Sequence, residues 1–331
     1  MYLCHCFTIV NVHDSVWYLF AYVARPIMQR FFLAVLMLLL SPTILASDSN
    51  TIRVVTTIAP IQSLVSAIMQ NVATPVSLVP AGTSEHTYSL KPSEAMAIAQ
   101  ADVIFWVNED IENFFPRIIP TLNAKQRVIK LINTPGLTLL TKRTGTNWAE
   151  HHDHHEAEHS ALDGHIWLDP RNAILMTVYI SEQLATIDSK HAAQYRNNAT
   201  ALQQRLQDLD HKLQQQLNPI KDNPYWVFHD AYQYFENRYQ LNAQGAIAIH
   251  PEQPLSAKQV QFLQQKILST KAQCVFAEPQ FLPAIVQRIT EKTGAKSGIL
   301  DPIGMDKTID ATSYFTLTHN LAHALTTCLQ H

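Results

Sequence analysis

The stretch 189–217, SKHAAQYRNNATALQQRLQDLDHKLQQQL, decides the architecture. Tyr195, Leu202, Leu206, Leu209, Leu213 and Leu217 recur at helical spacing among polar residues, which predicts one long amphipathic helix from about Ser189. Neither glycine nor proline interrupts the chain between Pro170 and Pro219. A helix of about thirty residues is about 40 Å long, the span of a whole domain. Such a rod can join two lobes as a strut, so 188–218 is read as a linking helix. The alternative is two ordinary helices with a break near Asp188, which moves the lobe boundary and little else.

On the N-terminal side, short apolar runs alternate with helical patterns. Ile52–Ile58, Val76–Pro80, Asp102–Val107 and Val128–Ile132 read as strands; Ala59–Met69, a helix from an N-cap at Ser93 to Ala101, and Phe114–Leu122 read as helices. The alternation resumes after Pro219. Tyr225–Phe228, Gly245–Ile249, Cys274–Ala277 and Gly298–Leu300 are strands, while an aromatic segment through Tyr239, Ser256–Ile267, Phe281–Thr293 and Ser313–Leu329 are helices. Unbroken apolar strands suit sheets covered on both faces. The expected fold class is therefore α/β, two lobes (51–187 and 219–331), each a mostly parallel sheet flanked by helices, joined by one long rigid α-helix.

Composition is that of ordinary globular material. The chain has 331 residues, 47% hydrophobic, with a formal net charge of -3 and no long basic run. Nothing there calls for a nucleic acid or an anionic membrane as partner. Met28-Gln29-Arg30, the apolar run Phe31–Leu40 and the small residue of Ile44-Leu45-Ala46 have the layout of a secretory signal peptide over 28–46. That run is too short to anchor the chain in a bilayer. Residues 1–27 then lie upstream of a natural start at Met28, as a non-native extension. Ser47, and not a cysteine, follows the cleavage point, so the expected mature protein is unlipidated and soluble outside the cytoplasm.

That compartment bears on the cysteines. Cys274 and Cys328 are the two left beyond the leader, and in an oxidising space two cysteines most simply pair. Closing that loop would stabilise the fold by roughly 4 kcal/mol in the chain-entropy model. Buried free thiols or thiolate metal ligands are the rival readings.

Sixteen histidines are the outlier. His151, His152, His154, His155 and His159 crowd an acidic tract inside a loop over 150–163 that has no means of burying a core, and Gly164-His165-Ile-Trp-Leu168 follows as an apparent strand. Imidazoles among carboxylates suit borderline divalent metals, zinc above all. Elsewhere His86 follows the second strand, His229 ends Trp-Val-Phe and Asp301 ends Gly-Ile-Leu. In open α/β sheets ligands gather at strand ends, so residues far apart in sequence can meet there. Taken singly, each histidine is more often a structural hydrogen-bonding residue, Asp301-Pro302 a turn starter, and Glu85 a solvated acid.

Four segments, GTSEHTYSLKPSE (82–94), GHIWLDP (164–170), VFHDAYQYFE (227–236) and LDPIG (300–304), together with the histidine tract and the late cysteine pair, resemble the periplasmic zinc-binding proteins of bacterial ABC zinc importers. The likeness runs from residue 51 onward. It implies two α/β lobes on a rigid helix, zinc ligands at His86, His165 and His229, Glu85 as an auxiliary contact, and Asp301 at the position that completes the site in manganese-binding relatives. It also implies a monomer that delivers Zn2+ to a membrane permease driven by a cytoplasmic ATPase, capture by local loop movement, and a histidine loop that gathers or senses zinc. The lesser alternative for that loop is a solvated segment with incidental metal affinity. A manganese or other divalent-metal protein of the same family is the nearest alternative, and nitrogen at His229 argues for zinc. A zinc hydrolase is further off: no HExxH motif, nucleophile elbow or evident general base accompanies the histidines.

Overall fold

Each half of the chain builds one parallel sheet, and in both the sheet order places the first strand second. In the computed structural model, β1 (Val54–Thr56), β2 (Val76–Ser77), β3 (Val103–Trp106) and β4 (Arg127–Lys130) pair in the order β2-β1-β3-β4. The second sheet, from β5 (Tyr225–Val227), β6 (Ala243–Ala246), β7 (Cys274–Ala277) and β8 (Lys296–Ile299), has the order β6-β5-β7-β8. The structure describes residues 51–331 apart from 81, 144, 147, 149–160, 249–252, 282–283, 305–307 and 331. The expectations for a leader over 1–27 and 28–46 and for His151, His152, His154, His155 and His159 lie outside the described residues.

Burial follows the sequence pattern strand by strand. The inner strands β1, β3, β5 and β7 are buried throughout, as unbroken apolar runs require, whereas the edge strands β2, β4 and β8 are half-buried or exposed. Helix α1 (Ala59–Ile68) starts with Pro60 in its first turn; α2 (Pro92–Gln100) is capped by Lys91 with Glu94 reaching back to the cap backbone, two residues before the expected Ser93 cap. The stretch 114–122 is not an α-helix. Pro116 and Pro120 each open a separate 3-10 turn, at Phe115–Arg117 and Ile119–Thr121, because neither can donate to a continuing helix.

The rod is present and has a partner. Helix α4 (Ala192–Leu217), flanked by 3-10 turns at Ser189–His191 and Asn218–Ile220, is preceded by α3 (Pro170–Ile187). The two fold back on each other at Asp188, whose Oδ2 accepts from Tyr195 Oη and His191 Nδ1 at 2.7 Å each, while Arg196 bridges to Glu182. The apolar stripe read from the sequence is the buried face: Tyr195, Leu202, Leu206, Leu209, Leu213 and Leu217 are all buried. Helix α4 packs on α1 from the first half and on α8 (Ser313–Leu329) from the last. One hydrophobic core therefore runs through both halves, with smaller satellites beyond each sheet: Val55, Ile104 and Phe115 on one side, Trp226, Val275 and Ile289 on the other.

Helices α5 (Gln233–Tyr239), α6 (Ala257–Ser269) and α7 (Ala284–Thr290) complete the second half, and Ser256 caps α6 with Gln259 answering in a capping box. The disulfide forms between Cys274, first residue of β7, and Cys328 near the end of α8, tying the last helix to its sheet. Among the described residues no helix is long and apolar enough to cross a membrane.

One expected strand is absent. Ile166-Trp167-Leu168 forms a 3-10 turn, not a strand, with all three side chains buried. A short apolar run fits either state, and the following Asp169-Pro170 decides: Asp169 accepts from Arg171 N as the cap of α3 and Pro170 occupies its first turn. Trp167 is fixed at both ends, its Nε1 donating to Pro302 O at 2.8 Å and its carbonyl accepting from Tyr314 Oη at 2.7 Å.

Candidate metal centre

Parallel strands send their C-terminal ends to the same side, and loops from both sheets meet there. His86 sits in the loop after β2, His229 two residues beyond β5, and His165 at the entry to the 3-10 turn. Their ring centroids form a nearly equilateral triangle, with sides of 5.6, 5.6 and 5.5 Å. One nitrogen from each lies within 4.8 Å of the others. His165 and His229 are buried, and His86 forms the partly open side.

Each ring is held by one nitrogen, leaving the other available. His165 Nδ1 donates to Asp163 Oδ1 at 2.7 Å, His229 Nδ1 to the Glu278 carboxylate at 2.6 and 2.7 Å, and His86 Nδ1 to the Asp110 carbonyl at 3.2 Å. In the neutral rings these bonds fix the tautomer that carries its lone pair on Nε2. The Nε2 atoms of His165 and His229 are buried and find no hydrogen-bond partner among the described residues. A buried donor or acceptor left without a protein partner is costly, so a pair of this kind points to an electrophile between them.

The supports are themselves built in. Asp110 lies on a loop stapled by buried Glu112, which accepts from Val107 N and Asn108 N at 3.1 Å and from the Thr57 hydroxyl; burial pushes the Glu112 carboxyl up to about 7. Gly164 packs so closely that an added Cβ would come within 2.5 Å of Asn108 Oδ1 and 2.6 Å of Ile111 Cγ1. Burial by itself lowers the basicity of His165, but the adjoining Asp163 carboxylate outweighs it and raises the pKa to about 9. For His86 burial wins over nearby Glu85, and the pKa falls below its usual value.

The two acids named with the histidines part company. Glu85 is buried beside the triangle, its Oε1 3.7 Å from His86 Nε2 and without a hydrogen-bond partner among the described residues. Neither acid is among the clustered donors, which among the described residues are the three histidines alone; Asp301 is occupied elsewhere. Its Oδ1 accepts from Gln280 Nε2 at 2.8 Å, Gly304 N at 3.0 Å and Ile303 N at 3.3 Å, the work of a turn. Asp163, Glu278 and Asp110 went unnoticed in the sequence. Asp163 had a local signal in its place two residues before His165; Glu278, 49 residues from His229, had none.

Fold and donor set together define a class, a two-lobed α/β binding protein whose crevice presents three imidazoles. The chain belongs to the family described as "Zinc-uptake complex component A periplasmic", whose model matches residues 54–328. It is 41% identical over 305 residues to the high-affinity zinc uptake system protein ZnuA of Brucella abortus, covering 83% of this chain and 91% of that one. Its identity with the ZnuA protein of Yersinia pestis is 31% over 316 residues, 92% of this chain and 98% of the relative. Among solved structures, a crystal structure of ZnuA superposes with a TM-score of 0.69 at 25% identity, covering 83% of this chain and all of the other.

Proposed function

We propose that this chain captures one Zn2+ ion between its lobes through Nε2 of His86, His165 and His229, and delivers it, as a periplasmic component, to a membrane permease with a cytoplasmic ATPase. Family membership supports the transport role. The observation that carries the site is the set of three converging rings, each anchored through Nδ1, two of them with a buried and otherwise unpartnered Nε2.

Zinc takes four tetrahedral ligands, and three neutral nitrogens match its preference better than that of harder manganese. Glu85 is the better placed of the two acids to supply or face the fourth position, since Asp301 spends its Oδ1 on three hydrogen bonds. Binding is coupled to protons because imidazole must be neutral to coordinate. The binding role involves no chemistry on the ion: cargo enters, is held, and leaves intact.

Calorimetric titration of zinc into the metal-free chain from Ser47 tests this. A single tight event in the wild type that is lost in His165→Ala supports the site. Tight binding that survives His165→Ala, or that disappears when 150–159 are removed, transfers the function to the histidine tract.

A further inference from the structure

The insertion carrying the histidine tract leaves and rejoins the fold through a stem whose two arms are hydrogen-bonded to each other. Lys142 N donates to Ala161 O at 3.0 Å and Asp163 N to Leu140 O at 2.9 Å, on either side of an antiparallel bridge between Thr141 and Leu162. Tyr234 fastens both arms, its hydroxyl accepting from Leu140 N at 3.1 Å and donating to Asp163 O at 2.8 Å. The outgoing arm also lies along edge strand β6, where Trp148 N donates to Gln244 O and Ala246 N to Thr146 O, each at 3.0 Å.

This stem reaches the hydrogen-bond supports of His165 and His86 and the residue next to His229. The returning arm supplies Asp163 to His165. On the outgoing arm the Lys142 ammonium pairs with the Asp110 carboxylate, and the Asp110 carbonyl is what holds His86 Nδ1. Beside it Arg143 forks onto Asp230, the residue after His229, with Nε at 3.1 and 3.0 Å from the two carboxylate oxygens, and its Nη1 lies 2.8 Å from Glu236. The Arg143 guanidinium is further fixed 3.3 Å above the Trp148 ring.

We propose that Lys142 and Arg143 are positioning residues of the metal site, so that the foot of the insertion sets zinc affinity by holding Asp110 and Asp230 in place. This rests on zinc being held by the three histidines. The two contacts differ in strength for a physical reason. Arg143 makes a planar two-pronged bond in a mostly buried setting and is also the ion-pair partner of the buried Glu236 carboxylate; Lys142 is half exposed, where an ion pair adds little to stability. Their effect on the metal is separable from their effect on folding, because a change in a ligand's support alters metal affinity by about 10–100-fold while the ligands themselves remain.

The experiment uses the whole mature chain and measures three things: zinc affinity by competition with a chromophoric chelator, the d–d absorption of the Co2+-loaded protein, and the thermal midpoint of the metal-free form. Arg143→Met is expected to weaken zinc by ~10–100-fold and to change the cobalt spectrum, with Arg143→Lys recovering part of the loss. Lys142→Met is expected to weaken zinc less, at an unchanged thermal midpoint. Should Arg143→Met not fold, Asp230→Asn, which keeps the shape and removes the charge, takes its place under the same expectations. Folded variants at both positions that keep wild-type affinity and a wild-type cobalt spectrum overturn the proposal. Wild-type affinity in His165→Ala would instead overturn the three-histidine site on which it rests.

Discussion

At the scale of single residues the centre is a set of imidazoles with their backs to hydrogen-bond acceptors. Asp163→Asn and Glu278→Gln remove the charge behind His165 and His229 while keeping the shape, so each is expected to reduce zinc affinity by about 10–100-fold with all three ligands in place; a chelator competition assay measures this. Protonation sets a second expectation. His165 in the metal-free fold has its pKa raised to about 9, above that of an unfolded histidine, so zinc binding at neutral pH must expel a proton. Affinity should fall as pH drops below about 9, and calorimetry in buffers of different ionisation enthalpy should register proton release. The sign for folding is opposite. Stability contributed by the His165–Asp163 pair is fully present below the unfolded pKa and is lost as pH rises through about 9, so metal-free Asp163→Asn should show a flatter dependence of thermal midpoint over that window.

At the scale of elements, the short turn Gly164–Leu168 carries more of the function than its length suggests. Gly164 has no room for a side chain, and Gly164→Ala must push aside Asn108 or Ile111, both buried; a cost of about 1–3 kcal/mol in denaturant unfolding and a weaker zinc site are the expected results. The tie between β7 and α8 works differently. Reducing Cys274–Cys328 frees the last helix from its sheet and should lower stability by about 4 kcal/mol, with denaturant midpoints with and without reductant as the measure. Element types were legible where a pattern was long, as along α4, or where capping residues gave a local instruction, as at Ser256 and Gln259. They were not legible where prolines cut 114–122 into two turns, or where Ile-Trp-Leu gave three apolar residues that suit a strand and a turn equally.

At the scale of the whole molecule, a core continuous through α1, α3, α4 and α8 links both halves. Opening a hinge between the lobes would expose that shared apolar surface, which costs roughly 25 cal/mol per Å2. Zinc capture is therefore expected to proceed by movement of loops at the strand ends, and small-angle scattering should give the same radius of gyration with and without zinc. A clear compaction on loading would show that the lobes close as bodies.

The sequence by itself determined the alternation of strands and helices, the rod and the pairing partners available to two cysteines, because each is written in local periodicity or in residue type; the three histidines stood out only through the resemblance of their segments to a family. Only the tertiary structure decided that ligand atoms of His86, His165 and His229 lie within 4.8 Å of one another, that Asp301 Oδ1 is taken up by a turn, and that Glu278, just past β7, backs His229. The physical reason is distance along the chain. A metal site is made of directions and separations between loops of different strands, and these are set by how the two sheets pack on one shared core, which no local pattern records.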